Sequence, residues 1–154
     1  MAEIPCSDLS KAEEILGRYP REEPALIQVL QDVHRAYNYL PCDVLGRVAE
    51  ALDVPLAKVF SVSTFYKAFS LEPQGDTIVK VCTGTACHIR GAQVLVDELV
   101  DALRIRPGET TPDMKFTLES VNCVGTCAMA PVVVVNDQYH GKMRISRIKR
   151  ITSR

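Results

Sequence analysis

"TIVKVCTGTACHIRGAQVLVDELVDALRI", residues 77–105, changes character twice within one short run. Its first six residues, "TIVKVC", are β-branched and brief, as a strand is. From Gly91 onward the apolar residues fall at helical spacing, which predicts a helix over "GAQVLVDELVDALRI" with Val94, Leu95, Leu99 and Leu103 on its inner stripe. Between them lies a loop in which Cys82 and Cys87 are separated only by Thr83, Gly84, Thr85 and Ala86. A strand, a small-residue loop carrying two thiols, and a helix make up one step of an α/β architecture.

Towards the C-terminus the same logic repeats. "MKFTLESVNC" (114–123) reads as a half-buried strand through Phe116, Leu118 and Val121. A second loop, "VNCVGTCAMAP" (121–131), sets Cys123 and Cys127 around Val124, Gly125 and Thr126. "PVVVVND" (131–137) is a continuous β-branched run suited to a central strand. "NDQYHGK" (136–142) turns the chain, and "ISRIKRI" (145–151) reads as a closing helix. Strand–helix–strand–strand, with both cysteine pairs just beyond strand ends, predicts a small α/β domain over 74–154.

Towards the N-terminus the period is helical throughout. "LSKAEEILGRY" places Ala12, Ile15, Leu16 and Tyr19 on one face, with Ser10 as the expected N-cap. "PALIQVLQDVHRAYNY" opens on Pro24, a residue suited to a first helical position, and repeats apolar residues at Leu26, Val29, Leu30, Val33 and Tyr37. Pro41 breaks that pattern at Leu40, Asp43 is placed to cap a third helix, and Pro55 to start a fourth, "PLAKVFSVSTFYKAF". "SLEPQGD" (70–76) is a turn cluster. The expected organisation is therefore α+β, with an N-terminal helical, partner-docking segment over 1–73 followed by the α/β domain.

Composition narrows the class. A chain of 154 residues buries a real core without needing a crosslink or metal merely to fold. Hydrophobic content is 47% and charged content 24%, an ordinary globular balance, and a formal net charge of −1 supplies no general attraction to nucleic acid or anionic lipid. "MAEIPCSDLS" lacks a basic start followed by an apolar run, and the longest clean apolar run is "VVVV" at 132–135, so the reading is a soluble cytoplasmic protein without membrane insertion. In a reducing compartment, six clustered cysteines point to metal or redox chemistry before disulfides.

Two readings of the four loop thiols stand. Structural zinc closes a tetrahedron of thiolates, usually from cysteines two to four residues apart, in a fold short of core. An iron–sulfur centre carries negative sulfides, so backbone N–H groups must approach it without intervening side chains. Gly84, Gly125, Thr83, Thr85, Thr126 and Ala86 favour the second reading.

The C-x4-C and C-x3-C spacings, following a helical segment that contains "STFYKAF", resemble the thioredoxin-like [2Fe-2S] ferredoxin family. More narrowly they resemble the 24-kilodalton-type subunit of NADH dehydrogenase and the small subunits of NAD-linked hydrogenases and formate dehydrogenases. The likeness runs from about Leu9 to Phe69 and from Thr77 to Met143, and "TGTACHIRGA" leans towards the electron-bifurcating hydrogenases. It implies a thioredoxin-like fold for the second domain and one [2Fe-2S] cluster. Cys82 and Cys87 would ligate one iron, and Cys123 and Cys127 the other. It also implies a 51-kilodalton-type flavoprotein partner holding FMN, NAD(P) and iron–sulfur centres, and a larger iron–sulfur or hydrogenase-like subunit. The chain itself shows no nucleophile–base set and no G-x-G-x-x-G loop, so it is expected to transfer electrons without a substrate site of its own. The alternatives are a subunit of respiratory NADH:quinone oxidoreductase or of formate dehydrogenase, and, in another class, a zinc-stapled helix-turn-helix regulatory module.

The remaining candidates have plainer readings. His88 follows a cysteine, but a Rieske centre needs two histidines on one iron, and His34 and His140 sit in unrelated stretches. Lys80 and Arg90 are either solvated cations or moderators of the centre's negative charge. Cys6 and Cys42 read as free thiols. "LGRVAEALDVPLAKVFSVSTFY" imitates a helix-turn-helix, yet offers few base-reading side chains, so a packed bundle or partner surface is the better reading and no nucleic-acid partner is expected. "GKMRISRIKRITSR" is the basic segment and reads as a solvated helix face or a strip for an acidic partner.

Overall fold

The computed structural model describes residues 8–152. The chain divides between Pro73 and Gln74 into two compact units, each with its own hydrophobic core.

The first unit holds α1 (Leu9–Leu16), α2 (Leu26–Tyr37), α3 (Cys42–Leu52) and α4 (Leu56–Phe65). Leu30, Leu40, Leu45, Val29, Val33, Val44, Val48 and Val59 are wholly buried, so the apolar faces that the sequence marks do meet. The helix starts differ from expectation. Asp8, not Ser10, caps α1: its Oδ1 accepts the Ser10 amide at 3.1 Å and the Ser10 hydroxyl at 2.6 Å. Ser10 is thus the donor to a stronger acceptor. Pro24 lies in a 3-10 turn, Glu23–Ala25, that precedes α2. Pro41 occupies the cap position of α3, and Asp43 sits inside the first turn, accepting the Val44 amide at 2.9 Å. α4 stops at Phe65 because Tyr66 turns to extended backbone.

The second unit is a four-stranded sheet in the order β2-β1-β3-β4, with β1 (Thr77–Cys82), β2 (Phe116–Val121), β3 (Val133–Val135) and β4 (Gln138–His140). β1 runs parallel to β2 and antiparallel to β3, which pairs antiparallel with β4. The crossover from β1 to β2 carries α5 (Thr85–Ile89) and α6 (Ala92–Leu103), and α7 (Ile145–Thr152) closes the chain. Val79, Val81, Leu99, Leu118, Val132, Val133 and Ile148 form the fully buried centre.

Several details depart from the periodic reading. The buried stripe of α6 is Ala92, Leu95, Val96 and Leu99, an i, i+3, i+4, i+7 set, while Val94 is 51% exposed. β2 is not a simple alternation: Thr117 is buried, its hydroxyl accepting the Gly75 amide at 2.7 Å and sharing a proton with Thr110 at 2.8 Å, and Val121 is half-buried. β3 is interior, as its β-branched run suggests, but antiparallel and three residues long. The expected turn at 136–142 hides a strand. Asn136 and Asp137 both take positive φ, 43° and 67°, and make the two-residue hairpin between β3 and β4. The first cysteine loop contains α5, which its small residues did not announce. Among the described residues no helix is long and apolar enough to cross a membrane.

Candidate metal centre

Each cysteine of the two loops has a different backbone support. Cys82 is the last residue of β1, and Cys87 lies within α5. Cys123 follows the end of β2, and Cys127 opens a 3-10 turn, Cys127–Met129. The parallel pairing of β1 with β2 delivers the two loops to the same end of the sheet, with Cys82 opposite Val121. All four thiols line one cavity of about 510 Å³, together with Gly84, Thr85, Ala86, Ile89, Asn122 and Thr126. None is in a disulfide; Cys82 and Cys87 are buried, Cys123 and Cys127 exposed.

The loops are fastened by backbone and side-chain bonds. Thr83 donates its amide to the Val121 carbonyl at 2.8 Å and its hydroxyl to the same oxygen at 3.1 Å. The Val132 peptide holds the first pair as well: its carbonyl accepts the Cys82 amide at 3.1 Å, and its N–H points to the Cys87 sulfur. Arg90 Nη1 donates to the Ala130 carbonyl at 3.1 Å, which ties the residue after α5 to the end of the second loop.

Two glycines have separate reasons. A Cβ on Gly84 would stand 2.8 Å from the Asn122 carbonyl oxygen and 3.6 Å from the Cys82 sulfur, so this position keeps the two loops in close approach. Gly125 has open space around it but a φ of +77°, which a side chain resists.

Electrostatics separate the first two thiols. Burial opposes ionisation of Cys82, but the N–H groups of Gly84 and Val124 and the thiols of Cys87 and Cys123 donate to its sulfur and hold its pKa below the usual thiol value. Burial pushes the Cys87 thiol up, and the neighbouring Cys82 adds to that. Gly125 also points its amide at the Cys123 sulfur, at 3.3 Å. Peptide N–H groups aimed at soft sulfur donors suit a centre that brings negative charge into the cavity. Cys82 is within hydrogen-bonding reach of one thiol from each pair, yet among the described residues no three His, Cys, Asp or Glu side chains group as a single metal ion requires.

Thr126 adds a feature that the sequence did not mark. Its hydroxyl oxygen is buried and has no hydrogen-bond partner among the described residues, although the residue caps the 3-10 turn and lines the cavity. Nor did sequence point to the Asn122 carbonyl or to the donors from Val124 and Val132, because backbone groups carry no residue-specific signal.

The other candidates lie elsewhere. His88 is exposed and outside the cavity lining, its amide bonded to the Gly84 carbonyl at 2.8 Å. Lys80 faces its register partner Glu119 at 3.8 Å across β1 and β2. Cys42 is exposed at the start of α3 in the helical unit, and Cys6 lies outside the described residues. Lys58, which a base-reading helix would need free, is ion-paired with Glu23.

Residues 12–154 match the family model described as thioredoxin-like [2Fe-2S] ferredoxin. The NADP-reducing hydrogenase subunit HndA of Solidesulfovibrio fructosivorans is 38% identical over 90% of this chain and 81% of its own length. A NADH-quinone oxidoreductase subunit of Rhizobium meliloti (strain 1021) is 39% identical over 88% of this chain and 81% of its own. The corresponding NADH-quinone oxidoreductase subunit of Aquifex aeolicus (strain VF5) is 34% identical over 99% and 95%, respectively. Among solved structures, a chain of an NAD+-reducing [NiFe]-hydrogenase in the air-oxidized state superposes with a TM-score of 0.75 over 86% of this chain and 23% of that one, at 23% identity. That last likeness is one of fold.

Proposed function

The chain belongs to the thioredoxin-like [2Fe-2S] ferredoxin family, and from that premise we propose that it is the electron-transfer subunit of an NAD(P)-linked oxidoreductase complex. The observation that carries the reading is the meeting of both cysteine pairs around one cavity whose peptide N–H groups point at sulfur. In this reading Cys82 and Cys87 hold one iron and Cys123 and Cys127 the other. A bound [2Fe-2S] centre supplies one-electron acceptance and release. The protein's part is to fix the thiolates on strand and helix ends, to stabilise added negative charge with peptide dipoles, and to keep the first pair out of water. Mononuclear zinc is the weaker reading, since a structural zinc site staples a fold short of core, and each unit here has a hydrophobic core of its own.

The partner in this reading is a flavoprotein subunit that carries FMN and the NAD(P) site, since hydride chemistry belongs to such cofactors and this sequence carries no G-x-G-x-x-G fingerprint. A hydrogenase complex of the electron-bifurcating kind is the first assignment, motivated by "TGTACHIRGA" and by the likeness to HndA. A respiratory NADH:quinone oxidoreductase is the second, motivated by the similar identity to the two NADH-quinone oxidoreductase relatives. A cytoplasmic location is proposed with either assignment. The helical unit before Pro73 is proposed as the docking segment for the rest of the complex.

The test is anaerobic purification of the full chain with its expected flavoprotein. About two irons and two acid-labile sulfides per chain, with a visible spectrum bleached by dithionite, support the reading. A colourless chain with one zinc overturns it. Failure to associate with the flavoprotein would overturn the subunit assignment while leaving the electron carrier intact.

A further inference from the structure

We propose that the hydroxyl of Thr126 donates a hydrogen bond to a sulfur atom of the bound iron–sulfur centre and thereby raises its reduction potential. This role rests on the cluster reading above and falls to a residue that is not a ligand.

The Thr126 hydroxyl is out of place for a protein interior. A buried hydroxyl is normally hydrogen-bonded, because burial removes the water it would otherwise bond. Thr126 Oγ1 is buried and has no hydrogen-bond partner among the described residues. Threonine at a helix cap usually uses its oxygen to accept an amide of the first turn, yet Thr126 caps the Cys127–Met129 turn without any side-chain capping bond. Its own carbonyl does accept the Met129 amide, at 2.9 Å, so the turn is closed by backbone alone and leaves the hydroxyl free. Thr83 behaves otherwise: that hydroxyl, in the other loop, is consumed by the Val121 carbonyl at 3.1 Å.

Thr126 lines the thiol cavity together with Cys123 and Cys127. All four cysteines share that lining, and a [2Fe-2S] centre brings sulfides with it. Thiolate and sulfide sulfur carry negative charge and accept hydrogen bonds, and a charged acceptor strengthens the bond. One-electron reduction by dithionite places one more negative charge on the centre, and the O–H dipole stabilises that charged form more than the oxidised one. Hydrogen bonds to cluster sulfurs are among the features that set such potentials.

Thr126→Val keeps the branched shape and deletes the donor; Thr126→Ser keeps the donor. The full chain and both variants would be assayed for iron and sulfide, then titrated with dithionite under electron paramagnetic resonance detection. Equal iron contents are expected, with an about two- to tenfold shift of the valine variant towards the oxidised form at fixed poise, the tenfold limit being about 59 mV for one electron. The serine variant should titrate with the wild type. A valine variant with an unchanged potential, or a serine variant that follows valine, overturns the proposal. So does loss of iron in the valine variant alone, which would make Thr126 a structural support. Thermal unfolding of the metal-free, reduced chain adds an arm that needs no loaded centre: Thr126→Val should leave the midpoint unchanged or raise it. A clear fall would mean the hydroxyl is bonded within the protein, and the proposal would fail. If the wild-type chain itself takes up no iron, the cluster reading is what fails.

Discussion

Arg90 and Ala130 each stand three residues beyond the second cysteine of their pair, and the Arg90 guanidinium donates to the Ala130 carbonyl at 3.1 Å. The bond joins the two loops beyond the reach of the strand pairing. Nearer the sheet the same loops are held by Thr83 to Val121 and by Cys82 to Val132. The cavity is thus clasped at more than one point, and the guanidinium also sets a positive charge beside the second loop.

Arg90→Met should remove one such tie. A net loss of about 1 kcal/mol is expected for a part-buried bond of this kind, read by denaturant unfolding of the metal-free chain. Release of iron to a chelator should quicken in the same variant. An unchanged release rate would show that the sheet-side bonds alone hold the loops.

Cys123→Ser should lower iron content sharply, whereas Cys42→Ser should leave it unchanged. The basis is position: Cys123 lines the thiol cavity, and Cys42 begins α3 in the helical unit. Iron assays on both purified variants decide it, and equal losses would show the ligand set to be incomplete.

Gly84→Ala should harm the centre more than Gly125→Ala does. The new methyl at Gly84 meets the Asn122 carbonyl at 2.8 Å, a backbone atom that cannot step aside cheaply. A cost of about 1–3 kcal/mol is expected from such overpacking, with iron loading reduced because the loops are forced apart. At Gly125 the penalty is conformational, about 1–2 kcal/mol for a side chain at positive φ, and the space around it is open. Unfolding midpoints and iron content, measured side by side, separate the two effects.

Leu45→Ala should destabilise the helical unit by about 2–5 kcal/mol, since Leu45 is wholly buried among the helices. The visible spectrum of the loaded centre should be unaltered at a temperature where the variant remains folded. A bleached spectrum would mean that the second unit depends on the first for its own packing.

How much of this was legible in advance follows from the range of the forces involved. Apolar residues at helical spacing located α1 to α4, and a β-branched run located β1, because local periodicity is set by which face must leave water. Periodicity misaligned the α6 stripe, favouring Val94 over Val96, since two faces of a valine-rich helix look equally apolar until a partner chooses one. β4 was missed because three residues give almost no period, and its only signal was the "ND" pair with positive φ. Thr117 shows the same limit: it is buried because Gly75, 42 residues away, supplies a donor.

The amino-acid order alone determined that this chain carries two pairs of thiols in loops free of bulk, and that helices come before sheet, because spacing and residue size are properties of neighbours along the chain. Only the tertiary structure decided that the pairs share a cavity, that Val124 and Val132 aim their amides at sulfur, and that the Thr126 hydroxyl is left unbonded among the described residues. Those facts depend on the parallel register of β1 with β2 and the antiparallel return of β3. Strand pairing is a contact between distant residues, made by backbone groups common to nearly every amino acid, and so it leaves little trace in the letters that make it.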